Sequence, residues 1–368
     1  MKKILYMTTI SDTINSFLVP HIKMIKEEGH IVDCACCIER PVDEDLTNNG
    51  VKVYDLPLSR NPFNLNNLKA FKELIKIQNE NKYDIIHVHT PVAGVYGRLL
   101  KTKFKDIKVI YTAHGFHFFE GAPKANWLIY YPIEKAMSKL TDTIITINDE
   151  DYNKALSFNI KETYKINGVG LDLDLYKDNK EYGKDIRKEL NIKENEFVMT
   201  MIAEVNKNKN HKQMIEALKI LKSKGTNVKV LCAGDGDLFY DIKEEVKNEN
   251  LDDNIKMLGY RDDIEKIISA CDAGLLLSYR EGLPRNIMEL MACGKPVIGT
   301  NIRGIRDIIE DEENGYLIDV EDAESLAKKI ELLSSNRDLL RKMSESALKS
   351  SRKYDIRQIL KDMKDMVM

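Results

Sequence analysis

Short apolar runs alternate with amphipathic stretches along almost the whole chain, and nothing else in the sequence limits the possible folds so strongly. The runs 4–8, 31–38, 51–56, 84–89, 108–113 and 143–147 read as strands, and the periodic stretches 17–28, 65–79 and 130–140 as helices. Such repetition predicts parallel strands, because parallel neighbours can be joined only through a crossover that covers a sheet face. The cycle restarts at Phe197: strands at 197–203, 228–233, 255–258, 273–277 and 296–300 alternate with helices at 211–224, 240–249 and 263–271. At 368 residues the chain is longer than one core ordinarily serves. The reading is therefore two Rossmann-like halves, 1–170 and 171–352, with an amphipathic helix in 353–368. The join at about 165–196 holds the charged run Lys177-Asp178-Asn179-Lys180-Glu181, which reads as a solvated linker.

With a formal net charge of −3, the chain carries no global basic field for nucleic acid. No run of about 18 apolar residues predicts a spanning helix, and Met1-Lys2-Lys3-Ile4 leads straight into a strand rather than a signal peptide. A cytoplasmic protein is expected. The six cysteines read as free thiols, since alternation along a strand would send Cys34, Cys36 and Cys37 to different faces instead of around a metal.

Most of the chemical information lies in 278–299. Glu281 and Glu289 stand eight positions apart around Gly282-Leu283-Pro284, and a helix then runs into Cys293-Gly294-Lys295-Pro296 and an apolar strand. Proline suits the first turn of a helix, where its missing N–H is not needed. The amides near Asn286 and Ile287 would then leave the helix N-terminus, where amides and dipole favour a phosphate. A carboxylate on either side could accept from a sugar ring and from a ribose, which suits a nucleotide-sugar. The pattern resembles the spaced-glutamate motif of the family-4 retaining glycosyltransferases. Gly294-Lys295-Pro296-Val297-Ile298, Gly304-Ile305-Arg306-Asp307-Ile308-Ile309 and Asn314-Gly315 fit the same family. The resemblance implies the GT-B fold: two Rossmann-like domains with parallel sheets facing across a cleft, the first for the acceptor and joined by the final helix, the second for the nucleotide-sugar.

In the first half, histidines mark two strand ends: His87 and His89 on one, His114 and His117 on the next. Four of the seven histidines at adjacent strand ends point to a polar pocket, since open α/β sheets bind ligands there. The resemblance singles out His114, in Thr112-Ala113-His114-Gly115, as the catalytic residue near the donor sugar, with His89 and His117 toward the acceptor. The first strand-to-helix loop, Thr8–Ser16, lacks the glycine pair that many relatives carry. Ser11, Thr13 and Asn15 are candidates there for acceptor or donor, with no choice among them. The aromatic and lysine-bearing stretch 116–140, including Trp127, Tyr130 and Tyr131, suits either a core-packing helix or a peripheral one on the inner face of the membrane.

In the second half, the family carries an arginine where this chain has Glu204, and a lysine matched by Lys209. The resemblance gives Lys209 the diphosphate and leaves Lys207 or Arg285 to supply the second cation. Tyr260, after an apolar strand, is expected beside the nucleobase. Asp172-Leu173-Asp174 reads as a structural turn, not a metal site. The implied reaction moves a hexose or N-acetylhexosamine from a UDP-sugar to a glycan or polyprenyl-diphosphate-linked sugar in bacterial surface polysaccharide biosynthesis, with retention and no metal or other cofactor. Lys209 and the helix N-terminus would neutralise the leaving group, Glu281 would hold the donor sugar and Glu289 the ribose, with Gly282, Leu283, Asn286 and Ile287 around the diphosphate. Two alternatives remain: a GT-B-fold UDP-N-acetylglucosamine 2-epimerase-like isomerase, although those enzymes lack the spaced-glutamate loop with Gly-Leu-Pro, and a non-catalytic nucleotide-sugar-binding subunit, the latter because of Glu204.

Overall fold

The computed structural model describes residues 1–367. They form two compact units, one of residues 1–170 with the segment from Arg357 onward, the other of Leu171–Ile356. Residues 353–356 thus belong with the second unit. Each unit is built on a wholly parallel sheet.

The first unit's strands are β1 (Lys3–Ile10), β2 (Ile31–Cys37), β3 (Val53–Asp55), β4 (Ile85–His89), β5 (Lys108–Ala113), β6 (Thr143–Thr146) and β7 (Glu162–Lys165). Their order is β3-β2-β1-β4-β5-β6-β7, so the winding reverses between β1 and β4. The central strands are covered on both faces and read as nearly unbroken apolar runs. The helix Pro91–Leu99 follows β4, where no helix is expected from a sequence containing Gly94 and Gly97. Its glycines are needed for contact: a Cβ at Gly97 would lie 2.2 Å from Val88 Cγ1, and one at Gly94 3.1 Å from the Tyr111 ring. The helix Lys124–Met137 starts earlier than its periodicity suggests, directly after Pro123. The final helix, Ile356–Val367, buries Ile359, Met363 and Val367, and Lys364 pairs with Glu28 at 2.7 Å.

The second unit has β8 (Phe197–Ile202), β9 (Val228–Ala233), β10 (Ile255–Gly259), β11 (Ala273–Leu276), β12 (Val297–Thr300) and β13 (Gly315–Ile318) in the order β10-β9-β8-β11-β12-β13. Here the reversal falls between β8 and β11. The charged run read as linker is in part a helix, Lys180–Glu189. It lies so close to the helix Ile264–Ser269 that a Cβ on Gly183 would come within 2.4 Å of the Ser269 carbonyl oxygen. Its Arg187 donates to the Ala270 carbonyl at 2.8 Å. Most of its charges lie on the outer face, while Arg187 turns inward.

One buried ion pair joins two helices of the first unit. Arg98, 1% exposed, donates to both Glu134 oxygens at 2.7 and 3.0 Å and to the Gly94 carbonyl at 2.8 Å. Removing one partner strands the other charge. Glu134→Ala is expected to cost about 3–5 kcal/mol, whereas the paired replacement Arg98→Met with Glu134→Leu costs far less. Urea unfolding of the wild type and the two variants checks this.

Candidate active site

In an open parallel sheet the loops on either side of the order reversal run to opposite faces, and ligands bind in the crevice this leaves beyond the strand C-termini. In the second unit that crevice lies between the loops after β8 and β11. The first carries Lys209 in the 3₁₀ turn Lys207–Lys209, where the Asn206 side chain caps the Lys209 amide at 3.2 Å. The second carries Glu281. Lys209 Nζ meets Glu281 Oε1 at 2.5 Å, and Ser278 Oγ donates to the same oxygen at 2.6 Å. Two residues 72 positions apart thus form one ion pair at the switch point. Asn208 ties the same loops, donating to the Arg280 carbonyl at 3.0 Å and accepting from the Tyr279 amide at 2.9 Å.

The turn Glu281–Pro284 is braced from behind. Arg303, 4% exposed, donates from Nε and Nη2 to the Glu281 carbonyl at 3.3 and 3.2 Å. Gly304 has φ +81°, and a Cβ there would lie 2.4 Å from the Gly282 carbonyl oxygen and 3.3 Å from the Leu283 amide nitrogen. Pro284 is the N-cap, one residue before the helix Arg285–Ala292, instead of lying in its first turn. Asn286 anchors the helix start by donating to the Ile202 carbonyl at 2.6 Å, and its Oδ1 accepts from the Ile287 amide at 2.9 Å. The Ile287 amide therefore does not project unpartnered from the helix, as the sequence suggested: the side chain before it takes the bond.

On the next turn Glu289, 8% exposed, faces Arg285 Nε at 3.0 Å and Tyr176. Burial pushes its carboxyl above the usual range, while Arg285 and the Tyr176 hydroxyl act against that shift. Arg285 is thus engaged by Glu289. Lys207 is exposed, as is Glu204 at the position where a cation was expected. Tyr260, 80% exposed, sits on the loop after β10, two strands from the switch point. Arg261 does not stand free beside it, since Asp263 and Glu189 hold its guanidinium at 2.8 Å each.

In the first unit, four imidazoles gather where two were expected from each strand end. Register places Tyr6 of β1 beside His87 of β4, and alternation puts His89 on the same face. Ring centroids of His87 and His89 lie 4.4 Å apart, and those of His89 and His114 5.3 Å. The fourth is His21, which bonds the Val169 carbonyl at 2.8 Å and gave no sign in the sequence. His117 lies outside this group, its ring 4.6 Å from Tyr130. Burial lowers all four, opposed at His21 by its bond to the Val169 carbonyl and reinforced at the other three by repulsion from neighbouring imidazoles: His87 falls to about 3, His114 to about 4, and His89 well below the usual value.

His89 Nδ1 and His114 Nε2 share one proton at 3.0 Å. His89 Nε2 is buried with no hydrogen-bond partner among the described residues. A buried N–H without an acceptor is rarer than a bare acceptor. We therefore assign the proton to His89 Nδ1, which makes His114 a neutral Nδ1–H tautomer with that edge left to donate. His89 is 1% exposed and stands behind His114, so the expectation that it meets the acceptor is corrected.

Ser11 and Asn15 are also placed differently from the sequence reading. The helical run begins at Ser11, directly after β1, with no open loop between them. Ser11 Oγ accepts from the Arg40 amide at 3.1 Å, and Asn15 donates to the Pro41 carbonyl and accepts from the Asp43 amide at 2.9 Å each. They brace the segment 40–43. In the stretch 116–140, Trp127 and Tyr131 turn inward onto Phe118, at 5.6 and 5.4 Å, and the exposed large apolar side chains are Leu128, Ile129 and Ile133.

Two wholly parallel-sheet units, each with its own switch point, are the architecture of GT-B enzymes. Residues 3–148 match the family described as Glycosyl transferase 4-like, and residues 183–350 the family described as Glycosyl transferases group 1. EpsD of Bacillus subtilis (strain 168), named as a glycosyltransferase, is 35% identical over 99% of this chain and 96% of its own. The UDP-Gal:alpha-D-GlcNAc-diphosphoundecaprenol alpha-1,3-galactosyltransferase of Escherichia coli is 29% identical over 82% of this chain and 80% of its own. Among solved structures, HepE of Anabaena in complex with UDP-glucose matches with a TM-score of 0.82 at 19% identity over 99% of each chain, a likeness of fold. The chain belongs to glycosyltransferase family 4.

Two outcomes are expected. Gly304→Ala should lose at least about 1 kcal/mol more stability than Gly121→Ala, because overpacking adds to the strain of positive φ. Gly121 has nearly the same φ, +83°, but open space around it. Thermal unfolding of both variants checks this. Secondly, the unfolded chain binds more protons than the folded one between the usual histidine value of about 6.5 and the folded values of about 3 and 4 for His87 and His114. Their contribution to stability is full above about pH 6.5 and is lost as pH falls through that window. Urea midpoints should therefore drop between pH 7 and pH 5, before most carboxylates titrate.

Proposed function

We propose that this chain transfers a hexose or N-acetylhexosamine, with retention, from a UDP-sugar to a polyprenyl-diphosphate-linked sugar in bacterial surface polysaccharide biosynthesis. The observation that carries the reading is the Lys209–Glu281 pair at the switch point, beside the N-terminus of Arg285–Ala292. The donor in the name of the Escherichia coli relative and the ligand in the HepE complex support a uridine nucleotide, and the diphosphoundecaprenol in the former supports the acceptor class.

In this reading the diphosphate enters at the turn Gly282–Asn286, where the helix dipole and Lys209 neutralise its charge. Lys209 and Glu281 hold each other while the site waits. Binding lets each turn to its own partner, the lysine to phosphate oxygens and the carboxylate to donor-sugar hydroxyls. Glu289, kept in place by Arg285 and Tyr176, accepts from the ribose hydroxyls. Lys207 is the second cation within reach of the donor, since Glu289 occupies Arg285, and Tyr260 lies beside the base.

As the anomeric bond to the diphosphate breaks, positive charge grows on the sugar ring, and Glu281 opposes it. The departing phosphate oxygen takes the proton of the acceptor hydroxyl, which attacks from the same face, so the chain needs no base of its own. His114 donates from Nδ1 to a sugar hydroxyl as a neutral group and adds no positive charge beside the growing cation. His89 acts through it by holding the tautomer, and His117 stands on the acceptor side.

Lys209→Ala is expected to lower kcat by about 10²–10³, the range seen when one transition-state donor is removed. Glu289→Ala should instead weaken UDP binding, measured by calorimetry. UDP release from a panel of UDP-sugars, with a lipid-diphosphate sugar as acceptor, tests the reaction. No release with any acceptor would favour a binding subunit, and conversion of UDP-N-acetylglucosamine with no acceptor present would favour the isomerase. Anomeric configuration of the product, read by NMR, decides retention.

A further inference from the structure

The first unit holds a cavity of about 480 Å³ at its own switch point, within the ordinary size of a small-molecule site. Its floor is the pair Thr9 and Thr90, at the ends of β1 and β4, whose hydroxyls bond each other at 2.7 Å. Ten of its fifteen lining residues are aliphatic, aromatic or proline. That lining decides the ligand class. A sugar needs several converging polar groups, and here two of the hydroxyls are already spent on each other. The outer wall comes from Phe63, Ile129 and Ile133, which stay 80%, 43% and 40% exposed. Leu65 and Leu128, at 74% and 77%, extend the apolar surface in sequence on both sides. Exposed apolar surface concentrated around one cavity marks a binding site better than scattered residues do. Arg60 is an exposed cation in the same lining, and His117, three residues beyond His114, is another polar member.

We propose that this cavity takes the first isoprenoid units of a prenyl diphosphate, with Arg60 set against the diphosphate. The inference rests on the lipid-linked acceptor of the proposed function and gives it a location. The chain's hydrocarbon enters between the loop 60–63 and the helix Lys124–Met137, and the helix Pro91–Leu99 closes the back. The Arg98–Glu134 pair, which joins these two helices, keeps the wall in place.

The test uses the full chain and calorimetry with farnesyl diphosphate, inorganic diphosphate and farnesol. Farnesyl diphosphate should bind roughly tenfold or more tightly than diphosphate, because burying a few methylene groups is enough for that ratio. Phe63→Ser and Ile133→Asp each change an exposed position, and each should lose most of that preference while keeping the melting temperature. Arg60→Ala should remove the preference for farnesyl diphosphate over farnesol. Equal binding of farnesyl diphosphate and diphosphate, or unchanged binding in both wall variants, overturns the proposal. So does an effect of the wall variants on binding to phosphatidylglycerol vesicles with none on farnesyl diphosphate, which would assign the surface to the bilayer. UDP-glucose binding is measured in parallel. Its failure with farnesyl diphosphate binding intact counts against the proposed donor and not against the cavity.

Discussion

The reversal of strand order in each parallel sheet governs the rest of the structure. Where β8 meets β11, and again where β1 meets β4, consecutive crossovers leave on opposite faces and the loops at the strand ends part. Backbone groups there have no neighbouring strand to satisfy them, so side chains must do it. Asn208 and Asn286 reach across to backbone carbonyls, Ser278 supports Glu281 from below, and Thr9 bonds Thr90 in the other unit. The gaps that remain are where a ligand can displace protein–protein contacts at low cost.

That constraint explains why charge is handled so differently in the two units. In the second, Lys209 and Glu281 are both part-exposed, and their pairing is of the kind a ligand can exchange for its own contacts. In the first, the imidazoles are packed ring against ring and burial keeps them neutral. Packing His89 behind His114 thus turns a pH-sensitive residue into a fixed hydrogen-bond donor. The apolar cavity nearby follows the same logic. Thr9 and Thr90 satisfy each other at its floor, and most of the remaining lining is apolar, with Arg60 and His117 among its polar members.

Much of this was legible in the chain, for identifiable reasons. Parallel strands buried on both faces must be apolar runs, so eleven of the thirteen described strands could be read to within a residue or two, whereas β7 and β13, the two edge strands at one end of each sheet, were not read. The spaced-glutamate turn carries glycine and proline whose backbone demands are local, and the helix after it has a plain start. Other features were hidden because their cause is distant. The helix Pro91–Leu99 looks like a poor helix until Val88 and Tyr111 are seen to need glycines opposite them. The helix Lys180–Glu189 looks solvated because Gly183, its contact point with Ser269, is silent in a hydropathy reading. Arg303 and Tyr176 brace Glu281 and Glu289 from distant positions, and a buried arginine reads in sequence like a surface one.

The sequence by itself determined two parallel-sheet units, the family, and the acidic turn with its lysine, since periodicity and local turn chemistry are carried by neighbouring residues. Tertiary structure alone decided which of the named residues meet. It joined Lys209 to Glu281, withdrew Arg285 to Glu289, moved Ser11 and Asn15 to a bracing role, added His21 to the imidazoles and placed His89 behind His114. Burial and hydrogen-bond partnership are properties of a residue's surroundings, and in a parallel sheet those surroundings come from strands far apart along the chain.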